Sequence, residues 1–335
     1  MRLRARIALL TLFFTGIGAL AACGANGTAT ATAQKPLSAS SRSATSSPRA
    51  TASATPSPRR LPASPALQIV GEPGRAKAKN GVKAKGAVLA DATTGQVLWS
   101  RAATTERPMA SVTKVMTALL VLQAGQLNQQ IQVPKAAFTY AWKYGGESAA
   151  LHPGDKLTAG ELLEALLLPS GADAAYTLAN YYGPGLTAFE AKMNATAARM
   201  GMNQTHFTSP DGLPYPTETS TYSTPADLLT LGLAAMRYPA FRSIVDQRFY
   251  QLKKGPGHHQ YWWDNTDHLI GSYPGALGIK DGYTDVAGHC LLFEATRNGR
   301  TLIGAVLGSP STGTAAGAQD AARMLNWGFG LHSAG

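Results

Sequence analysis

The sequence has little cysteine, and its excess of positive charge is confined to one end. Of 335 residues only two are cysteines, Cys23 and Cys290, which excludes a disulfide framework and any zinc site built from cysteines. The formal net charge is +11, but residues 1–80 contain the single acidic residue Glu72 among many Lys and Arg. Residues 81–335 are therefore close to neutral, which argues against a basic nucleic-acid-binding face and predicts no nucleic-acid partner.

The apolar run at the N-terminus is too short to be a typical membrane span. It extends from Ile7 to Leu20, about 14 residues, whereas a transmembrane helix needs about 20. Arg2, Arg4 and Arg6 precede it. A basic segment followed by a short apolar segment is typical of an export signal.

The residues after this run predict a lipid anchor. Leu20-Ala21-Ala22-Cys23 resembles the bacterial lipobox, in which the cysteine receives a diacylglyceryl group and cleavage occurs just before it. We therefore expect residues 1–22 to be a lipoprotein signal peptide. The protein would be exported and lipid-anchored to the outer face of the cytoplasmic membrane, in the cell envelope. The alternative is an ordinary small-residue cleavage site with an incidental cysteine.

Residues 23–79 are predicted to be a lipidated cysteine followed by a disordered tether. Most residues from Thr28 to Ala66 are Ala, Ser, Thr or Pro, and this composition cannot bury enough apolar area to offset the entropy of ordering. At about 3.1 Å per residue, the extended tether would reach roughly 170 Å. Residues 80–335 contain no second break of this kind and are expected to form one domain.

Strand patterns occur at both ends of this domain. Gly86–Ala90 and Gln96–Ser100 are rich in β-forming residues and flank a turn, so they predict a hairpin. His289–Thr296 and Thr301–Leu307 flank Asn298-Gly299, a strong hairpin signal. We expect these N- and C-terminal strands to meet in one antiparallel sheet.

Helical signals fill the region between the hairpins. Ser111–Gln123 is apolar and is predicted to be a buried helix. A capping box begins at Thr158, and Thr224-Pro225 is typical of another helix start. Ala315–Trp327 predicts a closing helix. The order of elements indicates an α/β fold of the α+β type, with a helical block covering the antiparallel sheet.

Ser111 and Lys114 lie three residues apart at the start of the predicted buried helix. This spacing places both side chains on one face, where the helix dipole favours an oxyanion. A lysine held in an apolar site loses its charge readily and can act as the base for a serine nucleophile. The alternative is a capped helix with an exposed lysine, which the apolar segment Val115–Leu120 disfavours.

Two further segments carry polar residues at predicted corners. Pro169–Ala174 contains Ser170 and Asp173 between two helices, and Gly278–Thr284 contains Lys280 just before a strand pair. By themselves these segments could be a helix cap and a surface turn with a solvated lysine.

Together and in this order, the three segments resemble the motifs Ser-x-x-Lys, Ser-x-Asn and Lys-Thr-Gly of the penicillin-recognising serine enzymes. Pro210-Asp211-Gly212-Leu213 and Tyr222–Asp227 also resemble that family. Over about residues 83–332 the chain is most similar to the serine D-alanyl-D-alanine carboxypeptidases, the low-molecular-weight penicillin-binding proteins. The resemblance implies a β-lactamase/transpeptidase-like fold and a hydrolase that trims the terminal D-Ala of peptidoglycan stem peptides. It implies peptidoglycan biosynthesis and cell shape as the cellular context, and β-lactams as covalent inhibitors.

The resemblance also implies catalytic roles. Ser111 would attack the penultimate D-Ala carbonyl and carry the acyl group, and Lys114 would take its proton. Ser170 would relay a proton to the leaving D-Ala. The backbone N–H groups of Ser111 and Tyr283 would form the oxyanion hole.

The Lys-Thr-Gly segment is where the resemblance implies substrate binding, by Lys280, Asp281, Gly282 and Tyr283. Lys280 would help hold the terminal carboxylate of the substrate. The chain departs from the family motif here, because Asp281 replaces the threonine and an ionised Asp would repel that carboxylate. It also departs at Ala172, which replaces the motif asparagine.

These departures keep a second hypothesis open, that of a weakened or inactive family member that binds cell-wall peptides. A β-lactamase is disfavoured, because no Glu-x-x-Leu-Asn segment follows the second motif. The histidines lack the spacing of a metallopeptidase, so we expect no metal and no cofactor.

The lipidation hypothesis is tested by Cys23→Ala. Removing the thiol removes the attachment point of the lipid, so we expect the variant to leave the membrane fraction. Membrane fractionation followed by immunoblotting measures this, and an unchanged distribution would show that the anchor is something else.

Overall fold

The computed structural model describes residues 81–310 and 313–331. The predicted signal peptide, the lipidation site at Cys23 and the whole predicted tether over residues 23–79 lie outside the described residues. Within the described ranges, none of the helices is both long enough and apolar enough to cross a bilayer.

Eleven strands in the described residues form one large sheet and three small ribbons. The strands are β1 Gly86–Asp91, β2 Val97–Arg101, β3 Arg107–Pro108, β4 Gln130–Gln132, β5 Lys156–Thr158, β6 Tyr222–Ser223, β7 Phe249–Leu252, β8 Tyr261–Asp264, β9 Ala276–Thr284, β10 Gly288–Arg297 and β11 Arg300–Ser309. The large sheet has the order β2-β1-β11-β10-β9 and its paired strands are antiparallel. The N-terminal hairpin therefore pairs with the C-terminal one, as the sequence predicts.

In the described residues seven α-helices lie between β3 and β9, and one more closes the fold. They are α1 Lys114–Ala124, α2 Lys135–Lys143, α3 Ala159–Leu167, α4 Ala172–Tyr182, α5 Leu186–Arg199, α6 Pro225–Ala235, α7 Pro239–Val245 and α8 Ala316–Gly330. The capping box at Thr158 is present, since its hydroxyl accepts from Glu161 N and the Glu161 carboxylate accepts from Thr158 N. Thr224 caps α6 in the same way, by accepting from Asp227 N.

Strand alternation divides the core into two layers. On β1, Val88 and Ala90 pack against the helical block, whereas Ala87 and Leu89 pack on the opposite face. That opposite face is covered by α8, through residues such as Leu325. A central strand buried on both faces reads as a continuous apolar run rather than as alternation, which is the pattern of β1.

The structure corrects one sequence-based prediction and adds to another. The helix predicted from Ser111 begins with a 3-10 turn over Ala110–Thr113, and the α-helix starts only at Lys114. The segment Gly278–Thr284, expected to lead into a strand pair, is itself the edge strand β9. Hydrophobic periodicity does not separate a 3-10 turn from an α-helix, and the glycines of β9 hide its strand character.

Asp320 is buried on α8, and its carboxylate forms hydrogen bonds that connect this helix to the sheet. Its carboxylate accepts from Lys83 N at 2.9 Å, from Ser309 Oγ at 2.8 Å and from Arg323 Nη1 at 3.0 Å. We expect Asp320→Ala to lower the free energy of unfolding by about 2 to 4 kcal/mol, because it leaves these donors without a partner. Chemical denaturation measures the loss. Asp264→Ala, at an exposed position, is the control, and its free energy of unfolding should stay within about 0.5 kcal/mol of wild type. Equal losses in the two variants would contradict the stabilising role of the Asp320 hydrogen bonds.

Candidate active site

Ser111 and Lys114 are in direct contact at the junction of the 3-10 turn and α1. The Lys114 Nζ donates to Ser111 Oγ at 2.9 Å. Ser111 is half-buried, whereas Lys114 is only 1% exposed and begins the α-helix in the middle of the core. The first motif of the sequence is therefore a hydrogen-bonded pair rather than a capped helix with a solvated lysine.

The surroundings of Lys114 favour its neutral form. Burial lowers the pKa of Lys114 from 10.5 to about 8, since a charged amine loses its hydration there. The charge of Lys280 lowers this pKa further, and the carboxylate of Asp211 opposes the shift. The Lys114 amine also donates to the carbonyl oxygen of Asp211 at 3.1 Å. A lysine in this state can take a proton from the adjacent serine near neutral pH.

The segment Pro210–Leu213 forms the wall behind this pair. Thr117 Oγ1 donates to Pro210 O at 2.5 Å, which fixes the segment against α1. Gly212 has a φ of +83°, and a Cβ added there would lie 1.9 Å from Ala110 O. Only glycine permits this approach, so the segment determines the position of the backbone next to Ser111. The segment belongs to the family resemblance of the sequence, but no sequence signal gives its residues a role.

Backbone strain marks both serine-bearing turns. Ala110 has a φ of +49° and Ser170 a φ of +66°, values that non-glycine residues rarely adopt. Ser170 lies between α3 and α4 and is 5% exposed. Such strain is maintained only where the surrounding packing over-determines it, and it is common at active sites.

Ala172 and Asp173 hold the neighbouring loop in place. Ala172 is fully buried, and a Cβ added at Gly146 would lie 2.8 Å from the Ala172 Cβ. Asp173 accepts from Ser148 Oγ at 2.7 Å and from the backbone N–H groups of Ala149 and Leu151. Asp173 therefore holds a loop that packs directly on Ala172. It does not cap α4, whose N-cap is Gly171 and has no side-chain cap, so the helix-cap alternative is not what the structure shows.

The third motif lies on β9 beside Ser111. A Cβ added at Gly282 would lie 2.6 Å from Ser111 N, so β9 passes next to the 3-10 turn. Lys280 is 1% exposed, and Tyr283 is exposed with its hydroxyl donating to Asp285. The structure thus brings Ser111, Lys280, Gly282 and the Tyr283 backbone to one region.

Asp281 is paired with its neighbour. Lys280 pairs across the sheet with Leu292 and Asp281 with Leu291, so the two side chains start on opposite faces. Because β9 is the edge strand, their ends meet, with Lys280 Nζ 2.5 Å from Asp281 Oδ1. Burial alone would raise the pKa of Asp281, but the Lys280 ammonium and hydrogen bonds hold it below its ordinary value.

Sequence reasoning missed Thr266 and Asp267, which adjoin this pair. Thr266 Oγ1 lies 2.7 Å from Asp281 Oδ1 and 3.2 Å from Leu168 O, just before the second motif. Asp267 is buried and its Oδ2 has no hydrogen-bond partner among the described residues. Burial, followed by the charge of Asp281, raises the pKa of Asp267 to about 7. No sequence motif marks either residue.

The side chains that commonly bind metal ions do not cluster in the described part of the chain. Within 81–310 and 313–331 there is no group of three or more His, Cys, Asp or Glu that could hold a metal ion. Cys290 is buried and free, and burial raises the pKa of its thiol to about 12, so it is an unreactive core residue.

Both the sequence and the fold of this chain resemble those of one family of known proteins. The model of the D-alanyl-D-alanine carboxypeptidase family matches residues 74–311. The chain belongs to the D-alanyl-D-alanine carboxypeptidase family. A D-alanyl-D-alanine carboxypeptidase of Streptomyces sp. strain K15 is 39% identical over 271 residues, which cover 77% of this chain and 91% of that protein. DacB2, a D-alanyl-D-alanine carboxypeptidase of Mycobacterium tuberculosis, is 38% identical and covers 73% of this chain and 82% of its own length.

Solved structures agree with this assignment. The crystal structure of the Streptomyces K15 DD-transpeptidase matches with a TM-score of 0.70 at 38% identity, over 75% of this chain and 98% of that one. The D-alanyl-D-alanine carboxypeptidase from Mycobacterium tuberculosis matches with a TM-score of 0.67 at 35% identity, over 75% of this chain and 92% of that one. The predicted family, and the antiparallel sheet with its helical block, are confirmed.

The pKa of Lys114 gives a pH dependence with a defined sign. Only the neutral amine can take the Ser111 proton, and its fraction falls tenfold per pH unit below about 8. We expect the second-order rate of acylation by a penicillin to rise about tenfold per unit from pH 6 towards 8 and to level off above. Stopped-time labelling with a fluorescent penicillin measures this. A flat profile between pH 6 and 9 would contradict a neutral-lysine base.

Proposed function

We propose that Ser111 is the nucleophile of this serine D,D-carboxypeptidase and that the acyl group is carried on its Oγ. The substrate is a peptidoglycan stem peptide ending in D-Ala-D-Ala. The observation that carries the proposal is the 2.9 Å contact between Ser111 Oγ and the buried amine of Lys114. A serine is a weak nucleophile until a nearby base takes its proton, and the lowered pKa of Lys114 supplies that base.

The reaction would proceed in two steps. Lys114 accepts the Ser111 proton while Oγ attacks the penultimate D-Ala carbonyl. The tetrahedral oxyanion is stabilised by the backbone N–H groups of Ser111 and Tyr283, which the proximity of β9 to the 3-10 turn supports. The peptide bond breaks as Ser170 gives its hydroxyl proton to the departing D-Ala nitrogen and receives the proton held by Lys114, which returns to its neutral amine. Water then attacks the acyl-enzyme and releases the shortened peptide and the serine.

β-Lactams would be trapped at the first step. A penicillin presents a strained amide to Ser111, and opening of the ring leaves no fragment that departs, so the acyl group stays attached. This acylation would use the same Ser111–Lys114 pair as the peptide reaction and would need no other residue.

The second hypothesis is a protein that binds cell-wall peptides without cleaving them. Its basis is the replacement of two motif residues, by Ala172 and Asp281. The intact contact between Ser111 and Lys114 favours an enzyme, because a binding protein has no use for a buried amine adjacent to a hydroxyl. The family assignment does not support this binding hypothesis better than it supports a carboxypeptidase.

We further propose that the enzyme works from a lipid anchor. The basic and apolar N-terminal segment and Leu20-Ala21-Ala22-Cys23 support export and lipidation, and residues 24–79 would tether the domain to the membrane. Such a tether keeps the site near newly made wall peptides, where trimming of D-Ala would limit cross-linking and influence cell shape.

Ser111→Ala tests the proposed nucleophile. The change removes one hydroxyl, so we expect the variant to keep its melting temperature and to form no penicillin adduct. Intact-protein mass spectrometry after penicillin exposure, followed by peptide mapping, should place the full mass of the drug on Ser111 in wild type. Ser243→Ala, at an exposed position on α7, is the matched control and should label like wild type. A full adduct on Ser111→Ala would refute the assignment.

A further inference from the structure

The ammonium of Lys280 is already neutralised by a carboxylate of its own chain. Its Nζ lies 2.5 Å from Asp281 Oδ1 and 3.3 Å from Thr266 Oγ1. The Lys280 side chain is 1% exposed, whereas that of Asp281 is 32% exposed. The charge that a substrate would meet first at this position is therefore the carboxylate and not the ammonium.

This arrangement changes what Lys280 can attract. A substrate carboxylate that came within hydrogen-bonding distance of Lys280 Nζ would lie beside Asp281. Two like charges a few Å apart repel strongly where water is partly excluded. The pair Lys280–Asp281 has no net charge, so it offers no compensating attraction at longer range.

Asp281 is also prevented from turning away. Thr266 Oγ1 holds the same oxygen, Oδ1, at 2.7 Å. On the other side a cavity of about 20 Å³ is lined by Asp281, Asp267, His268 and His289. Asp267 lines this cavity, its buried Oδ2 has no hydrogen-bond partner among the described residues, and its carboxyl group disfavours a second carboxylate nearby. The contact with Lys280 is therefore the preferred position of Asp281.

We infer that Asp281 makes this site select peptides in which the group that leaves with the D-alanyl nitrogen carries no carboxylate. The chemical class comprises a D-alanyl-D-alanine carboxamide and a D-alanyl bond to a side-chain amine without a neighbouring acid. A carboxamide complements the site, because its N–H can donate to Asp281. Both described side-chain contacts of Asp281 use Oδ1, so Oδ2 is the acceptor for such a donor. The inference rests on the proposed function and deepens it: the Ser111 acyl-enzyme is the same for both kinds of peptide, and a free-acid D-Ala-D-Ala terminus is cleaved, but less efficiently than a terminus without the carboxylate.

The test compares two substrates that differ at one group. An N-acylated L-Lys-D-Ala-D-Ala with a free carboxylate and the same peptide as its C-terminal carboxamide are assayed for kcat/KM at pH 8. We expect wild type to favour the carboxamide by about tenfold or more, equivalent to about 1.4 kcal/mol. Asp281→Asn and Asp281→Thr should each shift this ratio towards the free acid by about tenfold.

The ratio is measured on one preparation, so the active fraction of each variant cancels and partial misfolding does not disguise the result. Asp285→Asn removes the same charge near the end of β9, away from Lys280, and should leave the ratio unchanged. An unchanged ratio in both Asp281 variants would overturn the inference. So would an equal shift in Asp285→Asn, which would indicate a general charge effect.

The two proposals fail in different ways. If wild type cleaves neither peptide and forms no adduct on Ser111, the proposed function is wrong and the inference falls with it. If wild type cleaves the free acid at least as well as the carboxamide, the proposed function stands and the inference alone is overturned.

Discussion

The burial of the Lys114 amine beside Ser111 is the constraint on which the rest of the site depends. A lysine with no access to water has a lowered pKa and needs partners for its N–H groups, which are Ser111 Oγ and the Asp211 carbonyl. Providing the second partner requires the chain to pass close behind Ser111. That approach is possible because Gly212 has no side chain and because Ala110 adopts a left-handed backbone conformation.

The edge of the sheet supplies the other half of the site. Since β9 has a neighbour on one side only, among the described strands, its side chains can meet around the free edge, as Lys280 and Asp281 do. Thr266 connects this pair to the carbonyl of Leu168 and so to the turn that carries Ser170. One short polar network therefore joins the second and third motifs. Its net charge depends on Asp281, because the Asp281 carboxylate offsets the charge of the Lys280 ammonium.

Local signals in the sequence predicted much of the fold, because they involve neighbours along the chain. The turn at Asn298-Gly299, the capping box at Thr158 and the Thr224-Pro225 helix start all appear at the expected places. The family resemblance placed Ser111 and Lys114 in one site, and the structure brings them into contact. The roles of these residues remain predictions.

The features that could not be predicted depend on contacts between distant segments. The partner carbonyl of Asp211 is 97 residues from Lys114, and Thr266 is 15 residues from Asp281. Neither separation leaves a periodic signal. The sequence alone does not determine whether Asp281 is protonated, points outward or pairs with Lys280. Only the edge position of β9, a property of the whole sheet, distinguishes among them.

The most direct test of this account is a titration of Lys114 itself. Lysine labelled with carbon-13 at Cε reports the charge of each amine by NMR, and comparison with Lys114→Met assigns the resonance. The account predicts that the Lys114 resonance titrates with a pKa near 8, as its burial beside Ser111 requires. A pKa near the ordinary value of 10.5 would mean that the amine is charged at neutral pH, and it would contradict the role of Lys114 as the base.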